Sequence, residues 1–335
     1  MLIAGDIGGT KTNLALFEIE SKSFEYKQLS RYPSGDYPNL RDIVLQFIEE
    51  CKPRSTIKAA CFAIAGPVTN GVCHATNLPW IVDAKELSKA IGIPNVYLIN
   101  DLEGNAWALD ILSKDGLTTL YAGKDPLAGN RAVVSPGTGL GEAGLYWDGK
   151  VHHPFASEGG HCELGPRDEI QIDFCRYLYK RFGHASYERA LSGPGLANIY
   201  DFFRDVLKRG EPDWLKEEFK KNDKAQVITQ YALNGGSEIC NDALDFFVSI
   251  LGSEAGNCVL KYMAFGGVYL GGGIPPKILP KLQEQSFLEG FFDKGRFHSL
   301  LEKIPVHVIL DDKAALRGSA NYCRKQAQKG RVSRV

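Results

Sequence analysis

Gly5-Asp6-Ile7-Gly8-Gly9-Thr10 joins one apolar run to another, Leu14-Ala15-Leu16-Phe17. The two glycines leave backbone N–H groups open to close approach, and Thr10 and Thr12 add hydroxyl donors. Donors of this kind suit the oxygens of a phosphate chain, with Asp6 placed to hold a cation. An ordinary tight hairpin accounts for the same residues without a ligand. A Walker A loop is excluded, because Thr10 stands where its glycine must precede Lys11 and a strand follows where a helix should. Asn100-Asp101 ends a further apolar run, 96–99. Strand ends of this type bind ligands in open α/β sheets. The pair can serve adjacent hydroxyls, with Asp101 accepting a proton from one of them, or Asp101 can be the N-cap of the next helix.

Three more constellations lie downstream. Ser135-Pro136-Gly137-Thr138-Gly139-Leu140-Gly141 repeats the strand, glycine-threonine turn, strand order of the N-terminus, and Gly271-Gly272-Gly273 closes another strand. A strand-like segment after Gly139-Leu140-Gly141 argues against a dinucleotide fingerprint, which needs a helix there. Three such turns together suggest a nucleotide, two on its phosphates and one letting a base lie on the backbone. Glu158-Gly159-Gly160-His161 places a carboxylate and an imidazole about two glycines, with room for a small polar ligand. His152, His153 and Cys162 lie close by but show no regular ligand spacing, and a catalytic Mg²⁺ prefers oxygens. Glu188, ahead of Leu191-Ser192-Gly193-Pro194-Gly195, is a further candidate, or else a surface helix glutamate.

The elements that must carry these residues alternate between strand and helix, which defines an α/β class. Strands are expected at 26–31, 59–64, 96–99, 132–134, 143–147, 268–270 and 306–310. Helices are expected at 40–50, 84–91, 102–112, 173–182, 241–260 and 314–325, with 116–129 as a loop. The repeated hairpin suggests a duplicated fold. With 335 residues, 44% apolar and 24% charged, the chain suits two domains of an ordinary globular protein. A net charge of −1 implies no nucleic-acid partner, and the basic tail from Arg324 to Arg334 suits a solvated terminus. No continuous apolar run approaches the roughly 18 residues of a membrane span. The eight cysteines are widely spaced, which suits buried thiols in a reducing, cytoplasmic setting.

In order and in wording these motifs resemble the bacterial ATP-dependent glucokinases of the non-ROK branch, within the hexokinase/actin/Hsp70-like ATPase fold. The resemblance runs from Leu2 to about Arg324 and includes Phe265-Gly266-Gly267-Val268 and Asp293-Lys294-Gly295-Arg296-Phe297. It implies a two-domain actin/hexokinase-like (RNase H-like) fold with a central ligand cleft. The small α/β domain would be 1–111 plus 314–335 and the large one 112–313. The implied reaction is phosphorylation of D-glucose by ATP with Mg²⁺. Asp101 is then the base, and Asn100, Asp101, Glu158, His161 and Glu188 bind the sugar. Gly5, Asp6, Ile7, Gly8, Gly9, Thr10, Thr138, Gly139, Gly272 and Gly273 hold the nucleotide, and Asp6 positions the metal through water. A homodimer is expected from the family. A kinase of another hexose or N-acetylhexosamine, or a sugar sensor on the same fold, is the alternative. The sensor reading is disfavoured because the first strand starts at residue 2, leaving no room for a DNA-binding helix. Two departures stand out. Glu142 occupies a position usually apolar, and Cys162-Glu163-Leu164-Gly165 replaces the family's usual run after the histidine.

Overall fold

A computed structural model describes residues 1–19, 21 and 24–332. The end of the basic tail, Arg334 included, lies outside the described residues. Chain contacts divide the protein into one unit of Met1–Asp115 with Asp311–Val335 and another of Gly116–Leu310.

The first unit opens with β1 (Leu2–Ile7), β2 (Lys11–Phe17) and β3 (Tyr26–Pro33), then α1 (Leu40–Cys51) and β4 (Ala59–Ile64). Three short strands, β5 (Val68–Thr69), β6 (Val72–His74) and β7 (Ile81–Asp83), precede α2 (Ala84–Ile91), β8 (Val96–Asn100) and α3 (Asp101–Ala108). The second unit holds β9 (Leu117–Tyr121), β10 (Arg131–Pro136), β11 (Leu140–Trp147) and β12 (His152–Ser157). It continues with α4 (Glu169–Phe182), α5 (Gly193–Asp205), α6 (Asp213–Lys221), α7 (Lys224–Leu233) and α8 (Glu238–Tyr262). β13 (Val268–Leu270), α9 (Leu279–Leu282), α10 (Gln285–Phe292), α11 (His298–Leu301) and β14 (Val306–Ile309) complete it, and α12 (Ala314–Val332) returns to the first unit.

The first sheet has the order β3-β2-β1-β4-β8, and the second β12-β11-β10-β13-β14-β9. In both, the hairpin is antiparallel and the next two pairings are parallel. The repeated hairpin therefore does report a repeated sheet. β9 adds an antiparallel edge to the second sheet, where a loop was expected. Its segment Leu-Thr-Thr-Leu-Tyr is short and only half apolar, and pairing with β14 decides its conformation.

Strand β4 reads as an unbroken apolar run, and β1 stays free of charged residues as far as Asp6, because both sheet faces are covered. Ile3, Leu14, Phe62 and Ile64 pack with Phe47 of α1 and Leu87 of α2 on one face. Leu2, Ala4, Cys61 and Ala63 pack with Leu316, Ala320 and Cys323 of α12 on the other. In the second unit α8 is the central core helix, with Leu244, Phe247, Val248 and Leu251 fully buried. Its length of 25 residues, with an 18-residue stretch of mean hydropathy 1.3, would by itself allow a membrane span. The same stretch is 72% buried within the protein, the pattern of a core helix, so this is weak evidence for a span.

Candidate active site

In the first unit the candidate residues gather at the C-terminal edge of the parallel strands. Ile7, Ile64 and Asn100 stand on one rung of β1, β4 and β8. Two strand spacings, about 10 Å, thus separate the end of β1 from the start of α3. Asn100, not Asp101, is the N-cap of α3: its Oδ1 accepts from Leu102 N (2.9 Å), and its Nδ2 donates to Gly66 O (3.1 Å). This corrects the alternative reading of Asp101 as the cap. Asp101 is instead the first helical residue, where the helix macrodipole favours negative charge. It is half-buried and near the buried Cys73, whose thiol is pushed up to about 11 by burial and then by the Asp101 charge. Asn100→Ala should cost about 1 kcal/mol or more from the cap alone, plus the unpaired Gly66 carbonyl. Asn100→Asp should keep the cap, and urea unfolding of both variants measures the difference.

The first glycine turn is held from inside. Thr12 is fully buried and its hydroxyl pairs with Ser34 Oγ (3.0 Å), which itself donates to Gly8 O (2.8 Å). Thr12 is therefore spent on the scaffold and is not a ligand donor as its sequence position suggested. Thr10 and Lys11 are exposed, and Asn77 packs against the α-carbon of Gly9. Asp6 is half-buried and accepts from Asn13 Nδ2 (3.2 Å). Burial raises its carboxyl above the usual value, opposed by that hydrogen bond and by Lys11 and Lys313. A hard oxygen donor whose burial disfavours its charge fits a Mg²⁺ ion, which would relieve that cost.

In the second unit the turn 137–139 follows β10, and Gly271-Gly272-Gly273 follows its parallel neighbour β13. Gly272 has φ +81, a conformation that demands glycine, and Ile274 N donates to Pro136 O (3.3 Å), tying the two turns together. Thr138, Gly272 and Gly273 are exposed. Glu188 is not on a helix. It lies in the turn before α5, half-buried, and its Oε2 accepts from Leu140 N (3.0 Å). Its backbone N in turn donates to Gly160 O (2.8 Å). Glu188 thereby clips the 158–161 segment to the 137–139 turn. Glu158 and His161 are exposed at the ends of that segment, where His161 N donates to Glu158 O (3.0 Å). A Cβ on Gly160 would overlap the Leu140 carbonyl oxygen, so this approach requires glycine.

The nearby histidines do not converge on a metal. His152 is buried against Trp147 and bonds Gly129 O (3.1 Å), while His153 pairs with Asp148 (2.6 Å). All eight cysteines are free thiols, but Cys162 is exposed, and Cys51 and Cys175 are only partly buried, contrary to the uniform burial expected. Ser192-Gly193-Pro194-Gly195 opens a helix that was not expected there. Ser192 is the N-cap of α5 and accepts from Gly195 N (3.0 Å), and Gly193 N donates to Gly137 O (2.9 Å). Serine followed by an early proline is a readable start signal.

Comparison with solved structures fixes the class first. A ROK-family glucokinase from Streptomyces griseus, solved in complex with glucose and AMPPNP, superposes with a TM-score of 0.66 at 17% identity, covering 97% of this chain and 99% of that one. At this identity it shows the actin/hexokinase-like fold alone. A glucokinase from an Antarctic psychrotroph superposes with a TM-score of 0.84 at 30% identity, over 97% of this chain and 98% of that one. The glucokinase of Trichormus variabilis is 39% identical over 335 residues, covering 96% of this chain and 98% of the relative. The Glucokinase family profile matches residues 3–326, and the chain belongs to the glucokinase family.

Proposed function

We propose that the residues described above carry out the reaction of this family, with Asp101 as the base. The protein is an ATP-dependent hexose 6-phosphotransferase: ATP + D-glucose → ADP + glucose 6-phosphate. Asp101 accepts the proton of the sugar C6 hydroxyl as that oxygen attacks the γ-phosphorus in line and the bond to the β-phosphate oxygen breaks. Phosphoryl transfer of this kind depends mostly on positioning and charge stabilisation. Asn100, Glu158, His161 and Glu188 bond the ring hydroxyls. Gly5, Asp6, Ile7, Gly8, Gly9 and Thr10, with Thr138 and Gly139, hold the phosphates, Gly8 N donating instead to Lys11 O (3.0 Å), and Gly272 and Gly273 line the adenosine. Asp6 would hold Mg²⁺ through water, and the ion supplies charge neutralisation on the phosphates.

The observation that carries this reading is the Asn100 cap. By occupying the cap itself, Asn100 leaves Asp101 at the helix start on the ligand-binding edge of the sheet, on the same edge as Asp6. Glucose-dependent ADP release by the purified protein tests it, with mannose and N-acetylglucosamine as the competing substrates. A site built to bond hydroxyls should reject an analogue that lacks one. No turnover with glucose would overturn the reading, and faster turnover with another hexose would move the substrate.

EDTA should abolish turnover reversibly, with Mg²⁺ alone restoring it. Stoichiometric tightly bound zinc by elemental analysis would contradict oxygen ligation at Asp6. The proposal extends to a cytoplasmic homodimer, an expectation of the family that sedimentation of the purified protein checks.

A further inference from the structure

Directly beneath the 158–161 segment lies a buried carboxyl pair that the site described above does not use. Glu142 on β11 and Glu254 on α8 are both 0% exposed. A buried charge is costly unless it is paired. Lys261 Nζ donates to Glu254 Oε1 (2.8 Å) and Asn257 Nδ2 to Glu254 Oε2 (2.8 Å), so Glu254 is the ionised member. Glu142 receives only the weak Cys258 Sγ donor on Oε2 (3.5 Å), and its Oε1 has no hydrogen-bond partner among the described residues. One lysine balances one carboxylate, which leaves Glu142 to carry a proton. A divalent ion fits less well, since both Glu254 oxygens already hold donors.

Glu142 also touches the sugar-reading segment. A Cβ on Gly159 would overlap its Oε2, so the carboxyl lies against the Gly159 α-carbon with no side chain between. Ser157 Oγ donates to Glu142 O (3.1 Å) and accepts from Gly159 N (3.3 Å). Cys162 N donates to Gly159 O (3.0 Å), so Glu158, Gly159 and His161 move as one turn.

We propose that Glu142 is a positioning residue for the sugar: its neutral carboxyl is the floor under Gly159, and ionising it displaces Glu158 and His161. This rests on the assignment of those two residues to the sugar. Burial and then the Glu254 charge raise the Glu142 carboxyl to about 7, with Lys261 and Cys258 opposing. Besides each other, the two carboxyls face Cys258, Lys261 and Tyr262 of α8 and Tyr187 ahead of α5. Lys294, bonded to Ser253 Oγ (3.0 Å), also acts on Glu254. Ionisation above neutrality puts a second negative charge beside Glu254 against the turn, and the turn must yield to let water in.

The KM for glucose should therefore rise several-fold between pH 6 and pH 8.5, with kcat changing less. Glu142→Gln keeps the shape and cannot ionise, so its KM should stay low and flat. Its melting temperature should also exceed the wild type increasingly as pH rises. An acid whose folded pKa is raised loses stability as pH climbs from its unfolded value, 4.5, through about 7. Glu254→Gln removes the neighbouring charge and should move the KM rise to lower pH, a readout that survives if Glu142→Gln folds poorly. A Glu142→Gln enzyme with the wild-type pH profile, or a Glu254→Gln enzyme with an unmoved midpoint, overturns the proposal. Glu158→Gln at pH 6 separates the two layers. An unchanged KM there would sink the sugar assignment itself, whereas a KM raised about tenfold leaves only the role of Glu142 at stake.

Discussion

Replacing Asp101 by asparagine should lower kcat by roughly 10²–10⁴-fold, the usual contribution of a positioned general base. The amide has the same size and still bonds a hydroxyl, so the KM for glucose should change far less than kcat. Because Asn100 provides the cap, the substitution leaves the α3 cap bond to Leu102 N in place. The lost charge at the helix start should cost only about 0.3–1 kcal/mol. A melting temperature within a few degrees of wild type, together with a collapsed kcat, supports the base assignment. A variant that retains most of its kcat would falsify it and leave Asp101 a sugar-orienting group.

The second large effect is expected at Gly160. A methyl group there meets the Leu140 carbonyl oxygen, a backbone atom in β11 with no rotamer to escape into. Either the strand or the 158–161 segment must shift. Overpacking of this kind costs typically 1–3 kcal/mol. The functional loss should be larger than that number suggests. Glu158 and His161 flank the shifted residue, and the bond from Glu188 N to Gly160 O moves with it. Displacement of positioning groups by about 1 Å can cost on the order of 10²-fold. Gly160→Ala should thus raise the KM for glucose by at least about tenfold. The same change at exposed Gly149 or Gly210, where a Cβ meets nothing within 4 Å, gives the comparison for non-specific effects, Gly210 being free of positive φ. Glucose titration of ADP release for Gly160→Ala and Gly210→Ala separates the two. Equal KM values would show that the close approach at Gly160 has no bearing on the sugar.

Much of this architecture is legible in the residues because its strands are buried on both faces. Continuous apolar runs such as 59–64 leave little ambiguity once a glycine turn or an Asn-Asp pair ends them. The helix 84–91 and the strand 268–270 are read with their observed bounds for the same reason: strong periodicity or burial with clear stops. β9 and β12 are not legible, since their half-exposed sequences hold their shape only through neighbours, β14 for one and β11 for the other. The helical core around α8 is only partly legible. A long apolar helix says that it is buried, not which of α5, α7 and α10 covers it.

The sequence shows which residue types could do chemistry, Glu158 and His161 among them, and it places Asp6 with its glycine turn, Asn100-Asp101 and the 137–139 and 271–273 turns at strand ends. It does so because turn geometry and strand termination are local properties of a few residues. Packing alone shows which of them also serve the scaffold. Asn100 proved to be the cap and Asp101 its neighbour, Thr12 turned inward to Ser34, and Glu188 came off the surface to accept from Leu140 N. Glu142, one of two departures in the sequence, became half of a buried pair only when α8 brought Glu254 beside it, 112 residues away in the chain. Hydrogen-bond partners and shared protons are properties of atoms brought together by packing, and no local pattern encodes them.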